Sequence, residues 1–341
     1  PIYGITSHFH IETIDFIMNP GLWLNMMSQY RINITGCPNF GLALVLRYLS
    51  RKKPEKPLDL SSMKAMLNGA EPISVRIMND FIDALEPYSF NPDAMMPVYG
   101  MAEATLALTF TPLMQPSTIT SFSSTKLDRE NMAIRVESSD PETRVISGVG
   151  SPLNDVEIRV VNESDEPLPD NISGHLQVRG AGITKGYYNK AEATLTAFCG
   201  DWLRTGDIGF FFDGNLYISG RHKDIIFKNG RNYFANDLEA MACTIEHIDY
   251  GKVCFGGTTN LETGHDKVIV FIAGIPDSRA LDTFRELRGL LRSNLGITLD
   301  EMIPIKSNEV PKTSSGKLQR FKLMQRYLNG EFDSKRITAE S

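Results

Sequence analysis

Tyr99-Gly100-Met101-Ala102-Glu103-Ala104-Thr105 sets an aromatic ring, a glycine and a carboxylate close together, a richer polar mix than packing alone requires. Upstream of it lie three amphipathic patterns. Leu22, Trp23, Met26 and Met27 recur at helical spacing, as do Leu42, Leu44, Val45, Tyr48 and Leu49. A third helix is expected over Val75–Leu85, with Ile77, Phe81, Ile82 and Leu85 as its apolar stripe. Short β-like runs sit between them, such as Ala65-Met66-Leu67 ending in Asn68-Gly69, so the first part reads as α/β layers. Beyond Thr120 the texture turns to β. Val156–Val160 and His175–Arg179 alternate with a period of two, and Gly214-Asn215 punctuates Phe210–Ile218 as a hairpin would. From Asp224 the chain mixes both patterns. Leu238, Met241, Ala242 and Ile245 follow a candidate cap at Asn236, Val268–Ala273 is a buried strand, and Leu281–Leu295 is a helix.

The full sequence has 341 residues. At about 100–200 residues per domain that implies more than one folding unit. Hydrophobic residues at 42% and charged ones at 22% suit a chain that buries a core, which excludes disorder. Thirty-five Lys and Arg against 41 Asp and Glu leave a net charge of −6, so a nucleic acid polymer is not expected as partner. No apolar run reaches the about 18 residues of a membrane span. Cys37, Cys199, Cys243 and Cys254 lack CxxC spacing, and the six histidines are scattered. A reduced, cytoplasmic protein with buried thiols is the expectation. The chain opens on Pro1-Ile2-Tyr3 with no targeting pattern, and reads as cut from something longer.

Further motifs share the Gly-rich, polar character. They are Asn68-Gly69-Ala70-Glu71-Pro72, Arg204-Thr205-Gly206-Asp207, Gly220-Arg221-His222-Lys223-Asp224 and Pro311–Leu318, which ends in Gly316-Lys317-Leu318. The last is not a P-loop, because Pro311 stands where a glycine is needed and Leu318 where a Ser or Thr is needed. Taken in order, with Gly174–Gly180 and Gly186-Tyr187-Tyr188, the series resembles the adenylate-forming superfamily of acyl-CoA synthetases, peptide-synthetase adenylation domains and luciferases. The resemblance covers essentially the whole chain. Within the superfamily it is most similar to fatty acyl-AMP ligases. Pro20, Trp23-Leu24, Ser28–Arg31 and Cys37–Phe40 match that branch, Ala102 replaces the usual Thr of CoA-using relatives, and Ser123–Ile146 looks like its distinguishing insertion.

The resemblance implies an architecture. Residues 1–222 would be the C-terminal portion of the large AMP-binding domain, with an α/β part over 1–120 and a β-rich part over 121–222 that carries the insertion at 123–146. Residues 223–341 would be a small, mobile α+β lid. It also implies a reaction. A fatty or other carboxylic acid attacks the α-phosphate of ATP, giving acyl-AMP and pyrophosphate, and the acyl group then passes to the phosphopantetheine thiol of an acyl carrier protein, or to CoA.

Roles follow residue by residue. Lys317 would bring a cation to the phosphorus as charge gathers there. Glu103 would hold Mg²⁺ through carboxylate oxygen. Gly69, Ala70 and Glu71 would run along the purine edge, and Tyr99 with Gly100 against the adenine face. Asp207 would accept from the ribose hydroxyls, Arg221 would assist at ribose or phosphate, and Lys223 would be the hinge of the lid. The loop that wraps the pyrophosphate in this superfamily has no counterpart here, so this chain alone is expected not to release pyrophosphate. Two other readings stay open: an AMP-forming acyl-CoA synthetase, and a binding remnant that holds AMP without turnover.

Overall fold

A computed structural model describes residues 7–54, 56–140, 142–228, 231–259, 266–313 and 318–339. By internal contacts the chain falls into two compact units, Pro1–Val98 with Thr111–Ser117, and Tyr99–Phe110 with Thr118–Ser341.

In the first unit the strands Ile34–Gly36, Ala65–Asn68 and the start of Met95–Met101 run parallel, with Thr35 opposite Met66 and Leu67 opposite Met96. Parallel neighbours need a crossover, and the helices Asn39–Arg51 and Val75–Leu85 supply the two. Val75–Leu85 has the expected bounds. Its stripe of Ile77, Met78, Phe81 and Leu85 is buried, and Ser74 Oγ accepts from the Ile77 N–H at its start, a cap worth about 1 kcal/mol. Ile34, on the outermost of these strands, is exposed.

The second unit contains both the stretch read as β-rich, 121–222, and the stretch read as a lid, 223–341, with no division between them at 222. Val156–Val161, Gly174–Gly180, Trp202–Phe212 and Asn215–Arg221 form an antiparallel sheet in that spatial order. The hairpin turn within it is Asp213-Gly214, one residue earlier than expected. Both residues take positive φ, which suits a two-residue hairpin turn and leaves Asn215 as the first residue of the returning strand. The described residues of 123–146 carry regular structure. Ile119–Ser123 pairs antiparallel with Thr143–Ser147 around the helix Ser124–Glu130, and Phe122 packs at 83–88° against Phe210, Phe212 and Tyr217.

Toward the C-terminus, Val253–Thr259, Asp266–Ala273, Glu301–Ile305 and Ile337–Thr338 form a mixed sheet with a core on each face. One core includes Leu238, Phe284 and Leu287 from the helices Ala235–Ala242 and Asp277–Leu295, and the other Leu323 and Tyr327 from Arg320–Leu328. The expected cap at Asn236 is not made. The strand Arg231–Phe234 runs directly into the helix, Phe234 takes the cap position, and Asn236 bonds Asp237 instead. The thiols of Cys37 and Cys254 are buried, whereas Cys199 and Cys243 are only partly so. No helix among the described residues is long and apolar enough to cross a membrane.

Candidate active site

Asp207 owes its position to an irregularity in the strand Trp202–Phe212. Arg204 pairs with Gln177 and Ile208 with His175, so Thr205, Gly206 and Asp207 stand opposite the single Leu176. Gly206 takes φ 76°, a conformation that glycine adopts without strain. Thr205 stabilises the bulge, donating to the Leu176 carbonyl at 2.9 Å and accepting from the Asp207 N–H at 3.0 Å. The bulge aims the Asp207 carboxylate inward, where it is 6% exposed.

Both carboxylate oxygens are engaged. Tyr99 Oη donates to Oδ2 at 2.6 Å, and Arg221 Nε, on the strand paired with Asp207, donates to Oδ1 at 3.0 Å. Burial pushes the Asp207 carboxyl above its ordinary range, and the Arg221 guanidinium pulls it partly back. The Tyr99 hydroxyl is likewise raised, first by burial and then by the adjacent Asp207 charge. Asp207 in turn raises Arg221, whose side chain is largely exposed.

The segment after Tyr99 folds into a tight, strained turn. A Cβ on Gly100 would stand 1.8 Å from the Leu106 carbonyl oxygen, so only glycine fits there. Thr105 and Leu106 adopt φ 53° and 106°, conformations that cost non-glycine residues of order 1–3 kcal/mol each. Residues of the Gly180–Tyr187 stretch hold the turn in place. Thr105 Oγ1 donates to the Gly182 carbonyl at 2.6 Å, and the Thr184 N–H donates to the Glu103 carbonyl at 2.7 Å. Tyr187 Oη then donates to Glu103 Oε1 at 2.9 Å, fixing a partly exposed carboxylate.

Gly69, Ala70 and Glu71 belong to the first unit. There a Cβ on Gly69 would meet Val98 at 2.8 Å, Ala70 takes φ 71°, and Glu71 Oε1 accepts from the Phe40 N–H in the first turn of Asn39–Arg51. Asn39 links the same loop, donating to the Pro72 carbonyl at 2.6 Å and accepting from the Ser74 N–H at 3.2 Å. Lys223 is exposed in the single turn His222–Asp224. The next residue, Asp224, pairs with Arg320, which also pairs with Glu239, at 2.6 and 2.7 Å. Lys317 lies outside the described residues.

The structure thus brings Tyr99, Asp207 and Arg221 of the expected site into one cluster, with the Glu103 carboxylate fixed a few residues along the chain from Tyr99. A family described as AMP-binding enzyme matches residues 2–188, more than half of the sequence. The chain belongs to the AMP-binding enzyme family. Among its relatives in the family, it is 30% identical to the medium-chain-fatty-acid–[acyl-carrier-protein] ligase JamA of Moorena producens (strain JHB), over 98% of this chain and 58% of that protein. It is 28% identical to the long-chain-fatty-acid–AMP ligase FadD32 of Mycolicibacterium smegmatis, over 94% of this chain and 58% of that protein. A solved structure from a study of fatty acyl-adenylate ligases of E. coli and L. pneumophila superposes with a TM-score of 0.86 at 28% identity, covering 95% of this chain and 58% of that one. The chain therefore spans under two thirds of the length of these relatives. Its likeness to fatty acyl-AMP ligases agrees with the resemblance drawn from its motifs.

Two features of this family member escaped the sequence. Gly186-Tyr187-Tyr188 was visible as a motif, but nothing in it indicated that Tyr187 reaches Glu103, 84 residues away. Arg144 carried no signal either. Its guanidinium pairs with Asp128 at 3.5 Å and Asp237 at 2.7 Å, donates to the Ser219 carbonyl at 2.8 Å and lies 4.6 Å from the Phe234 ring centroid.

Proposed function

We propose that the protein to which this chain belongs converts a fatty acid and ATP into acyl-AMP and pyrophosphate, then loads the acyl group onto an acyl carrier protein. The observation that supports this reading is the Tyr99–Asp207–Arg221 cluster, in which a phenol and a guanidinium engage both oxygens of a buried carboxylate. The names of the relatives support both halves, one being a ligase to acyl carrier protein and another a fatty-acid–AMP ligase.

In the first half-reaction a carboxylate oxygen attacks the α-phosphorus and the bond to the bridging oxygen of pyrophosphate breaks. Asp207 binds the ribose hydroxyls by exchanging its present donors for theirs, and Arg221 faces the nucleotide's negative charge. Tyr99 presents its ring to the adenine. Lys317 supplies the cation at the transferring phosphorus. Glu103 fits a Mg²⁺ ion, since a hard cation that keeps waters and phosphate oxygens as ligands needs only one or two protein carboxylates. When bound, the ion offsets phosphate charge.

In the second half-reaction a thiol attacks the acyl carbon, the bond from that carbon to the AMP oxygen breaks, and the thiol proton is released. Residues 223–341 act as the lid for this step, turning about Lys223.

The acceptor is tested with preformed dodecanoyl-AMP, offered to the 341-residue chain together with either holo acyl carrier protein or CoA. Acylation of the carrier protein, with CoA left largely free, supports the proposal. Preferential acylation of CoA would establish an acyl-CoA synthetase instead, and no transfer to either thiol would favour a binding remnant.

A further inference from the structure

We propose that Glu163, His175 and His222 form a binding site for a divalent transition-metal ion of the zinc class. One ligand atom from each residue lies within 4.8 Å of the others, and His175 Nε2 is 2.9 Å from Glu163 Oε1. The two imidazole rings meet edge to face with centroids 4.8 Å apart. None of the three residues contributes to the adenylate cluster.

Sheet register brings together what sequence spacing leaves scattered. Val161 is paired with His175, His175 with Ile208, and Ile208 with Gly220. Glu163 lies in the turn just beyond Val161, and His222 opens the single turn that follows Arg221, so the strand pairings bring both chain ends beside His175. His175 is the anchor, seated on a strand and 24% exposed at its side chain. Glu163 and His222 are exposed and can adjust.

The donor set selects the ion. Two neutral imidazoles and a carboxylate suit a borderline cation, whereas Mg²⁺ and Ca²⁺ prefer oxygen alone. A tetrahedral zinc ion with bonds of about 2.0–2.1 Å sets its ligand atoms about 3.4 Å apart. The His175–Glu163 gap therefore opens by a few tenths of an ångström, and the widest separation closes through side-chain rotation of the two exposed residues. The ion replaces the proton shared between His175 and Glu163, and water completes the coordination.

His222 stands between Arg221 and Lys223, so a bound ion ties the turn His222–Asp224 to the strand Gly174–Gly180. A restraint on lid movement follows from that tie, and only this consequence rests on the function proposed above. The site itself does not.

The test reads binding without turnover. Zn²⁺ is titrated calorimetrically into the 341-residue chain, into His175→Gln, His222→Gln and Glu163→Gln, and into a His8→Gln/His10→Gln control that removes the other neighbouring histidine pair. Affinity is expected to fall about tenfold or more in each of the three site variants and to persist in the control. Co²⁺ added to the unaltered chain should give the intense visible absorption of a tetrahedral site, a readout that needs no variant to fold. Unchanged Zn²⁺ affinity in His175→Gln and His222→Gln, its loss in the control, or an octahedral Co²⁺ spectrum would each overturn the proposal.

Discussion

Tyr99 Oη donates a 2.6 Å hydrogen bond to Asp207 Oδ2 across 108 residues of sequence, and both groups are buried. The bond joins the strand Met95–Met101 to a bulge in the β-rich sheet. Tyr99→Phe removes the donor and leaves a buried carboxylate oxygen without it. A loss of about 1–3 kcal/mol in unfolding free energy is expected, read from denaturant midpoints, with the fold retained. An unchanged midpoint would mean that water or another donor already serves Asp207.

Arg144 should matter far more than an ordinary surface arginine. It is 11% exposed at its side chain and carries two carboxylate partners and an aromatic face. Arg144→Ala strands Asp128, whose side chain is 17% exposed, and should destabilise the chain by on the order of 3 kcal/mol. Denaturant unfolding checks this, and a loss below about 0.5 kcal/mol would show the pairing to be no better than a surface ion pair.

Asp128 gives a dependence on pH. Burial lifts its carboxyl from the ordinary 3.8 to about 6, against the opposing pull of Arg144. The folded state therefore holds the proton more tightly than the unfolded chain. Ionisation costs nothing below about pH 4, and its cost grows until it is complete above about pH 6. Asp128→Asn, which carries no charge at any pH, should gain stability relative to the unaltered chain as pH rises from 4 to 6. A stability difference that stays constant across that window would contradict the shift.

Gly100→Ala sets a methyl group against the Leu106 carbonyl, where 1.8 Å is available. The turn carrying Glu103 must shift, at about 1–3 kcal/mol, and Tyr187 should lose its hold on Glu103. Tyr187→Phe tests the second effect without the first. If Glu103 holds Mg²⁺ in the proposed adenylation, the Mg²⁺ concentration needed for half-maximal acyl-AMP formation should rise about tenfold, while thermal unfolding moves little. Equal Mg²⁺ dependence in the two proteins would leave Tyr187 with a structural role only.

A helix was legible where a long apolar stripe met one core, whereas the shorter Arg320–Leu328, which buries only Leu323 and Tyr327, was not. Val75–Leu85 matches its expected span because Ile77, Phe81 and Leu85 leave little choice of face. The hairpin at 213–214 was misplaced by one residue and the cap of the helix Ala235–Ala242 by two, since a turn or cap depends on φ values and on the strand feeding it. The motifs named the polar residues but not their partners. Thr205, Gly206 and Asp207 look like a turn in the sequence, and only the register on either side turns them into a bulge that buries the carboxylate. Long-range pairs such as Tyr187 with Glu103, or Arg144 with Asp128 and Asp237, leave no local trace. The Glu163–His175–His222 cluster is of the same kind, assembled by three strand pairings.

The central claim is that the cluster around Asp207 grips an adenylate, and its most direct test is calorimetric titration of a non-hydrolysable dodecanoyl-adenylate analogue into the chain and into Asp207→Asn. The account predicts saturable binding by the unaltered chain and an affinity at least about tenfold lower in the variant, through loss of charged hydrogen bonds to the ribose. Equal affinity in the two proteins, with both shown to be folded, would contradict it.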